Sequence, residues 1–113
     1  MVTKVNLENG AIEAFTASIA DSGTTTSAGI DLGSKTLCGV HIPSGFDGST
    51  LTFTASTTLD GTYLAVEYTP DGTIGASKYI PIDPSKVAGI RYIKPVVGTQ
   101  TGAIDLTLVA RGM

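Results

Sequence analysis

The sequence predicts an all-β fold, a single antiparallel β-sandwich of jelly-roll-like design with about eight short strands. Three observations lead there. No stretch longer than about ten residues keeps apolar side chains at i, i+3, i+4 and i+7 without a Gly or Pro intruding, because 14 glycines and 5 prolines are spread almost evenly. Val, Ile and Thr make up 35 of the 113 residues, and β-branched side chains pack best on a pleated surface. Turn signals return about every 8–12 residues, and between them apolar and polar residues alternate, as in strands with one buried and one wet face.

The elements follow in order. Ala11 to Ala20 alternates, with Ala11, Glu13, Phe15, Ala17 and Ile19 on one face and Ile12, Ala14, Thr16 and Ser18 on the other, until Asp21-Ser22-Gly23 breaks it. Asp21 to Ala28 reads as the most loop-like stretch, and Ala28 to Leu32 as a short extended piece ended by Gly33-Ser34. Thr36 to Ile42 is an apolar strand stopped by Pro43. Ser49 to Ser56 is the clearest strand, with Leu51, Phe53 and Ala55 facing one way and hydroxyls the other. Asp60-Gly61 turns the chain into Thr62 to Tyr68, and Pro70-Asp71-Gly72 is a second turn in which Pro presets φ and Gly accepts φ > 0. Lys78 to Ile82 is a strand, and Asp83-Pro84-Ser85-Lys86 starts one helical turn or tight loop. Ile90 to Val97 and Ala103 to Ala110 complete the set; Ile104, Leu106, Leu108 and Ala110 are expected in the core, and Asp105, Thr107 and Arg111 outside it.

At 113 residues the chain has room for one core, so residues 1–113 are read as a single domain. Hydrophobic residues at 42% and a net charge of -3 exclude an intrinsically disordered chain. Charged residues reach only 15%, against about 25% in average domains, and 17 Thr and 9 Ser fill the gap. A surface of hydroxyls suits strand faces and contact with other protein. Seven basic residues against ten acidic ones leave no electrostatic footprint for nucleic acid. No apolar run spans a bilayer, and the start, Met1-Val2-Thr3-Lys4-Val5-Asn6, has no secretory h-region. A protein made in the cytoplasm is the expectation.

Catalytic constellations are absent from the pattern. His41 is the lone histidine and no GxSxG occurs. Cys38 lies three residues away on the same strand, which on regular alternation puts the two side chains on opposite faces; a core thiol is expected. Asp47-Gly48, Asp60-Gly61 and Asp71-Gly72 are accounted for as turns. No DxDxDG loop, GxGxxG or GxxxxGK[ST] is present. The chain is therefore expected not to be an enzyme, and to use no metal and no cofactor. A carbohydrate-binding alternative rests on Asp60, Tyr63, Tyr68 and Asp71, because tyrosine faces suit sugar C–H patches and carboxylates bond hydroxyls.

Leu51 to Tyr63, Leu-Thr-Phe-Thr-Ala-Ser-Thr-Thr-Leu-Asp-Gly-Thr-Tyr, resembles the strand–turn–strand of discoidin-like (galactose-binding-like) sandwiches. Over roughly Ala28 to Val109 the order Ala-Gly-Ile-Asp-Leu-Gly, Leu-Cys-Gly-Val-His-Ile-Pro, Ile-Pro-Ile-Asp-Pro, Ile-Arg-Tyr-Ile-Lys-Pro and Leu-Thr-Leu-Val is similar to small virion proteins of tailed bacteriophages, of the capsid decoration, cement or head-fibre kind. That resemblance implies a structural protein of the virion, made in the host cytoplasm, partnered by the major capsid protein or other virion proteins. It implies a homo-oligomer, with a neck or tail location as the variant. Residues 1–10, carrying Val2, Val5 and Leu7 on a short amphipathic segment, are expected to serve as a docking strand or arm.

Overall fold

The computed structural model describes residues 12–20, 26–70, 73–98 and 102–112. Val2, Val5, Leu7 and Asp71 lie outside them, as do residues 21–25 of the expected loop. The strands are β1 (Ile12–Ile19), β2 (Ile30–Asp31), β3 (Lys35–Ile42), β4 (Leu51–Ser56), β5 (Leu64–Ala65), β6 (Lys78–Pro81), β7 (Tyr92–Val97) and β8 (Ile104–Gly112), with a single 3₁₀ turn at Pro84–Lys86. All pairings are antiparallel. β1 pairs with β8, β2 with β7, β3 with β6 and β4 with β5. The chain is thus one long hairpin folded at the β4–β5 connection. Further pairing of β8 with β3 and β7 with β4 rolls it into two sheets, ordered β1-β8-β3-β6 and β2-β7-β4-β5. That strand order is the jelly roll.

The core is one dry layer between the sheets. Ala17, Ile19, Leu37, Val40, Ile42, Ile80, Ile104, Leu106, Leu108 and Ala110 enter from the first sheet, and Leu51, Phe53, Ile93 and Val97 from the second. Leu32, Phe46, Ile82 and Val87 close the ends. The expected alternation on β8 is observed, with Ile104, Leu106, Leu108 and Ala110 buried, Asp105 and Arg111 exposed, and Thr107 half-buried on the outward side.

Departures from simple alternation have local causes. β3 carries a bulge, because Leu37 pairs with Ala110 but Gly39 with Val109, leaving Cys38 as the extra residue. Leu37 and Val40 therefore both enter the core although three residues apart. The same shift turns Cys38 and His41 to the outer face together, which corrects the expectation of opposite faces. Cys38 is half-buried rather than a core thiol.

β2 is cut to two residues by Pro95 on neighbouring β7. A proline offers no N–H to a ladder, and beyond Ile30↔Ile93 the register slips to an isolated bridge, Thr26↔Val96. The Thr26 hydroxyl donates to the Pro95 carbonyl at 3.2 Å. β5 is shorter than the expected Thr62 to Tyr68 because the chain turns inward after Ala65. The Val66 N–H still donates to the Phe53 carbonyl at 3.0 Å, but that of Tyr68 donates to Val66 itself at 2.8 Å. At the β2–β3 turn Gly33 sits at φ +65, in the left-handed region that favours glycine.

Two substitutions test this packing by urea denaturation. Leu106→Ala, which removes a fully buried side chain, is expected to cost about 2–5 kcal/mol. Gly48→Ala drives a new methyl into the Gly98 carbonyl and the Phe46 ring, and is expected to cost about 1–3 kcal/mol. Loss of less than about 1 kcal/mol in both would contradict the packing described.

Candidate functional site

Two surfaces carry the residues of interest. The first is the outer face of the first sheet. Cross-strand registers place its side chains in rows: Thr16, Thr107, His41 and Tyr79 in one, Ala14, Val109, Gly39 and Pro81 in the next. Neither row holds an Asp, Glu, Lys or Arg. Charges flank them, Asp105 beside Ser18 at one end and Arg111 between Ile12 and Thr36 at the other. The Tyr79 ring lies across Gly39, where a Cβ would collide with it, and the residue is 52% exposed. Partial burial, and then Cys38, pushes the Tyr79 phenol above the usual tyrosine value. The result is an uncharged central strip of small and hydroxyl side chains with one exposed aromatic residue, bordered by Asp105 and Arg111.

The second surface is a shallow cleft of about 390 Å³ over the second sheet, lined by Ala28, Gly29, Leu59, Asp60, Gly61, Tyr63 and Lys94. The Asp60-Gly61 turn forms as expected, with the Gly61 N–H donating to the Thr58 carbonyl at 3.2 Å. It carries Tyr63 toward Gly29, where the phenol oxygen occupies the space a Cβ would need. The Tyr63 hydroxyl donates to the Leu59 carbonyl at 2.8 Å, and the Lys94 ammonium stands 4.2 Å from the ring centroid, within cation–π range. Partial burial, followed by Asp60 and Tyr92, pushes the Tyr63 phenol above the usual value. One ring face and the hydroxyl are thus already engaged within the protein.

Of the four residues considered for sugar binding, the fold brings Asp60 and Tyr63 together. Tyr68 is not part of the cleft; its ring packs on the core and its hydroxyl accepts from the Asp83 N–H at 3.2 Å. Asp71 falls outside the described residues. Sequence reasoning missed Lys94, on β7, and Gly29, just before β2, which line this cleft from distant parts of the chain. The outward register of Lys94 was legible in the alternation of Ile90 to Val97, but the strand that lies beside it was not. Among the described residues no three His, Cys, Asp or Glu side chains are gathered as a metal site would require, and no helix is long and apolar enough to cross a membrane.

Asp31 ties the end of the second sheet together. Its Oδ1 accepts from the Gly33 N–H at 2.8 Å and from Arg91 Nε at 2.9 Å, and Oδ2 accepts from the other arm of the guanidinium at 3.1 Å. The Arg91 guanidinium in turn lies 5.0 Å from the Tyr92 ring centroid.

No protein-family model and no curated protein matches this chain. Among solved structures it is similar to the SPBc2 prophage-derived protein YomS, with a TM-score of 0.55 and 14% sequence identity over 89% of this chain and 95% of that one. The likeness covers nearly the whole of both molecules and establishes a shared all-β fold.

The Asp31 contacts predict a pH dependence. Arg91, then Gly33, holds the Asp31 carboxyl below its ordinary 3.8, so its stabilising contribution is present above that value and is lost as pH falls through the lowered one. Asp83, held down by Ser85, acts in the same direction. The stability difference between the parent chain and Asp31→Asn is expected to shrink between about pH 5 and pH 2, as followed by thermal melts. A difference that stays constant or widens on acidification would contradict the assignment.

Proposed function

We propose that this chain is a structural protein of a bacteriophage particle, a capsid decoration or cement protein that binds the shell surface and stabilises it. The observation that carries this reading is the fold shared with a prophage-derived protein across almost the full length of both chains. The sequence-level similarity to small virion proteins points the same way. The uncharged central rows on the outer face of β1, β8, β3 and β6 supply a surface suited to the role. A strip without charges loses little by desolvation when it is covered, and hydroxyls can exchange water for shell carbonyls and amides. A specific contact needs on the order of 1,200–2,000 Å² of buried surface, and many copies on one lattice reinforce one another.

In this reading the major capsid protein, or another virion protein, is the partner, and the virion is where the protein works. In this reading the role is non-catalytic. Residues 1–10 serve as a docking arm that adds to the contact made by the face.

Co-sedimentation with purified shells lacking the protein tests this. Thr107→Lys places an ammonium at the centre of the face and is expected to weaken shell binding at least about tenfold, a loss of ~1.4 kcal/mol, with thermal stability nearly unchanged, as for other surface substitutions. Deletion of residues 1–10 is expected to weaken it further. Full binding by both variants, or no binding by the parent chain, would overturn the proposal.

A further inference from the structure

An exposed strand edge is a template for pairing, and proteins blunt such edges with short strands, prolines, lysines or irregular register. Among the described residues the two sheets have four edges: β1 and β6 on the first, β2 and β5 on the second. Three are blunted. β2 and β5 have two residues each, and β2 is followed along β7 by a slipped bridge. β6 has four residues, opens on Lys78 and ends on Pro81.

β1 has none of these devices. It runs for eight residues, Ile-Glu-Ala-Phe-Thr-Ala-Ser-Ile, in unbroken register with β8. It contains no Pro, Gly or Lys. Its one charge, Glu13, is already paired with Lys35 at 3.2 Å on its own sheet. Among the described residues β1 pairs only with β8, so every second residue presents its backbone N–H and C=O to the free side. Apolar surface collects at the same edge: Ile12 is 65% exposed, and Phe15 is only partly buried against the core.

We infer that β1 is an interface for a second copy of this chain, joined β1 to β1 in antiparallel register about a twofold axis through Phe15, so that two four-stranded sheets become one continuous sheet.

The symmetry restricts the register severely. Residues directly opposite one another point to the same side of a sheet, and the axis preserves each residue's face, so opposed residues must differ by an even number. Registers centred on Phe15 or on Thr16 keep the most pairs. Centred on Thr16, Glu13 would face Ile19, an apolar core residue of the partner copy. Centred on Phe15, Glu13 faces the small Ala17, Ala14 faces Thr16, Ile12 faces Ser18, and the two half-buried Phe15 rings meet across the seam. No like charges are opposed, and aromatic cross-strand pairs are among the favourable ones. The interface leaves the outer faces of both copies side by side and continuous, and it does not depend on the virion reading.

Sedimentation equilibrium of the full chain is the test, with two variants at exposed positions that leave the core untouched. The parent is expected at twice the 11.5 kDa chain mass. Ala14→Glu/Thr16→Glu opposes carboxylates across the seam and is expected to sediment as a monomer. Ala14→Lys/Thr16→Glu opposes unlike charges in the Phe15 register and is expected to remain a dimer with the parent's thermal stability. A monomeric parent, or a dimer that survives the double Glu variant, would overturn the proposal. Dissociation of the Lys/Glu variant would overturn the Phe15 register on which it stands. A monomeric parent whose β1 amides become protected from hydrogen exchange only on added shells would assign the edge to another virion protein instead of a second copy.

Discussion

The longer strands of this molecule, β1, β3, β4, β7 and β8, have to deliver apolar side chains into one dry layer, and the rest of the structure is arranged around that requirement. β8 meets it most completely, with Ile104, Leu106, Leu108 and Ala110 all buried while β1 and β3 pair on its two sides. Burial of that row anchors the register of the first sheet, since a slip of one residue would send all four side chains into water. β3 cannot match β8 by simple alternation, because Leu37 and Val40 are three residues apart. The bulge at Cys38 resolves the mismatch and, as a consequence, determines what faces outward. Cys38, Gly39 and His41 become part of the outer surface, and the absence of a side chain at Gly39 gives the Tyr79 ring its resting place.

Much of this was legible in the sequence, and the reasons differ by element. Alternation is a local property, so the strands from Ile12, Leu51 and Ile104 could be read directly from period-two patterning. The Asp60-Gly61 turn was legible from its turn-forming dipeptide, and the Asp83-Pro84 turn from a side chain that satisfies its own backbone, as the Ser85 N–H donating to Asp83 Oδ1 at 3.0 Å illustrates. The shortening of β2 was not legible, because its cause, Pro95, acts from a strand more than sixty positions away. The bulge was hidden for a related reason: only the register against β8 reveals that Cys38 is extra. Strand order likewise lies in pairings between distant residues, which periodicity does not encode. The cleft was half legible. Asp60 and Tyr63 are close in sequence and meet there, whereas Lys94 and Gly29 reach it only through the stacking of β2, β7 and β4 in one sheet.

The exterior shows a division of labour. An ion pair closes the end of the second sheet, where Asp31 holds Arg91 and Arg91 lies over Tyr92. The two central rows on the outer face of the first sheet are left neutral, between Asp105 and Arg111, and of the four sheet edges β2, β5 and β6 are closed to further pairing. A protein whose surface had only to stay in solution would gain from charges on that face. Threonine and serine there keep the face wettable while making it inexpensive to cover. That combination is the physical basis on which the chain is proposed to act as a component of a larger shell.

Copy number per purified phage particle, by quantitative mass spectrometry, tests the central claim most directly. A protein that decorates or cements the capsid lattice must be present in hundreds of copies, on the order of the number of repeating lattice sites, since each copy gains its stability from the shell beneath it. A handful to a few dozen copies would contradict a lattice role and move the protein to the neck or tail. Complete absence from particles would contradict the virion reading itself.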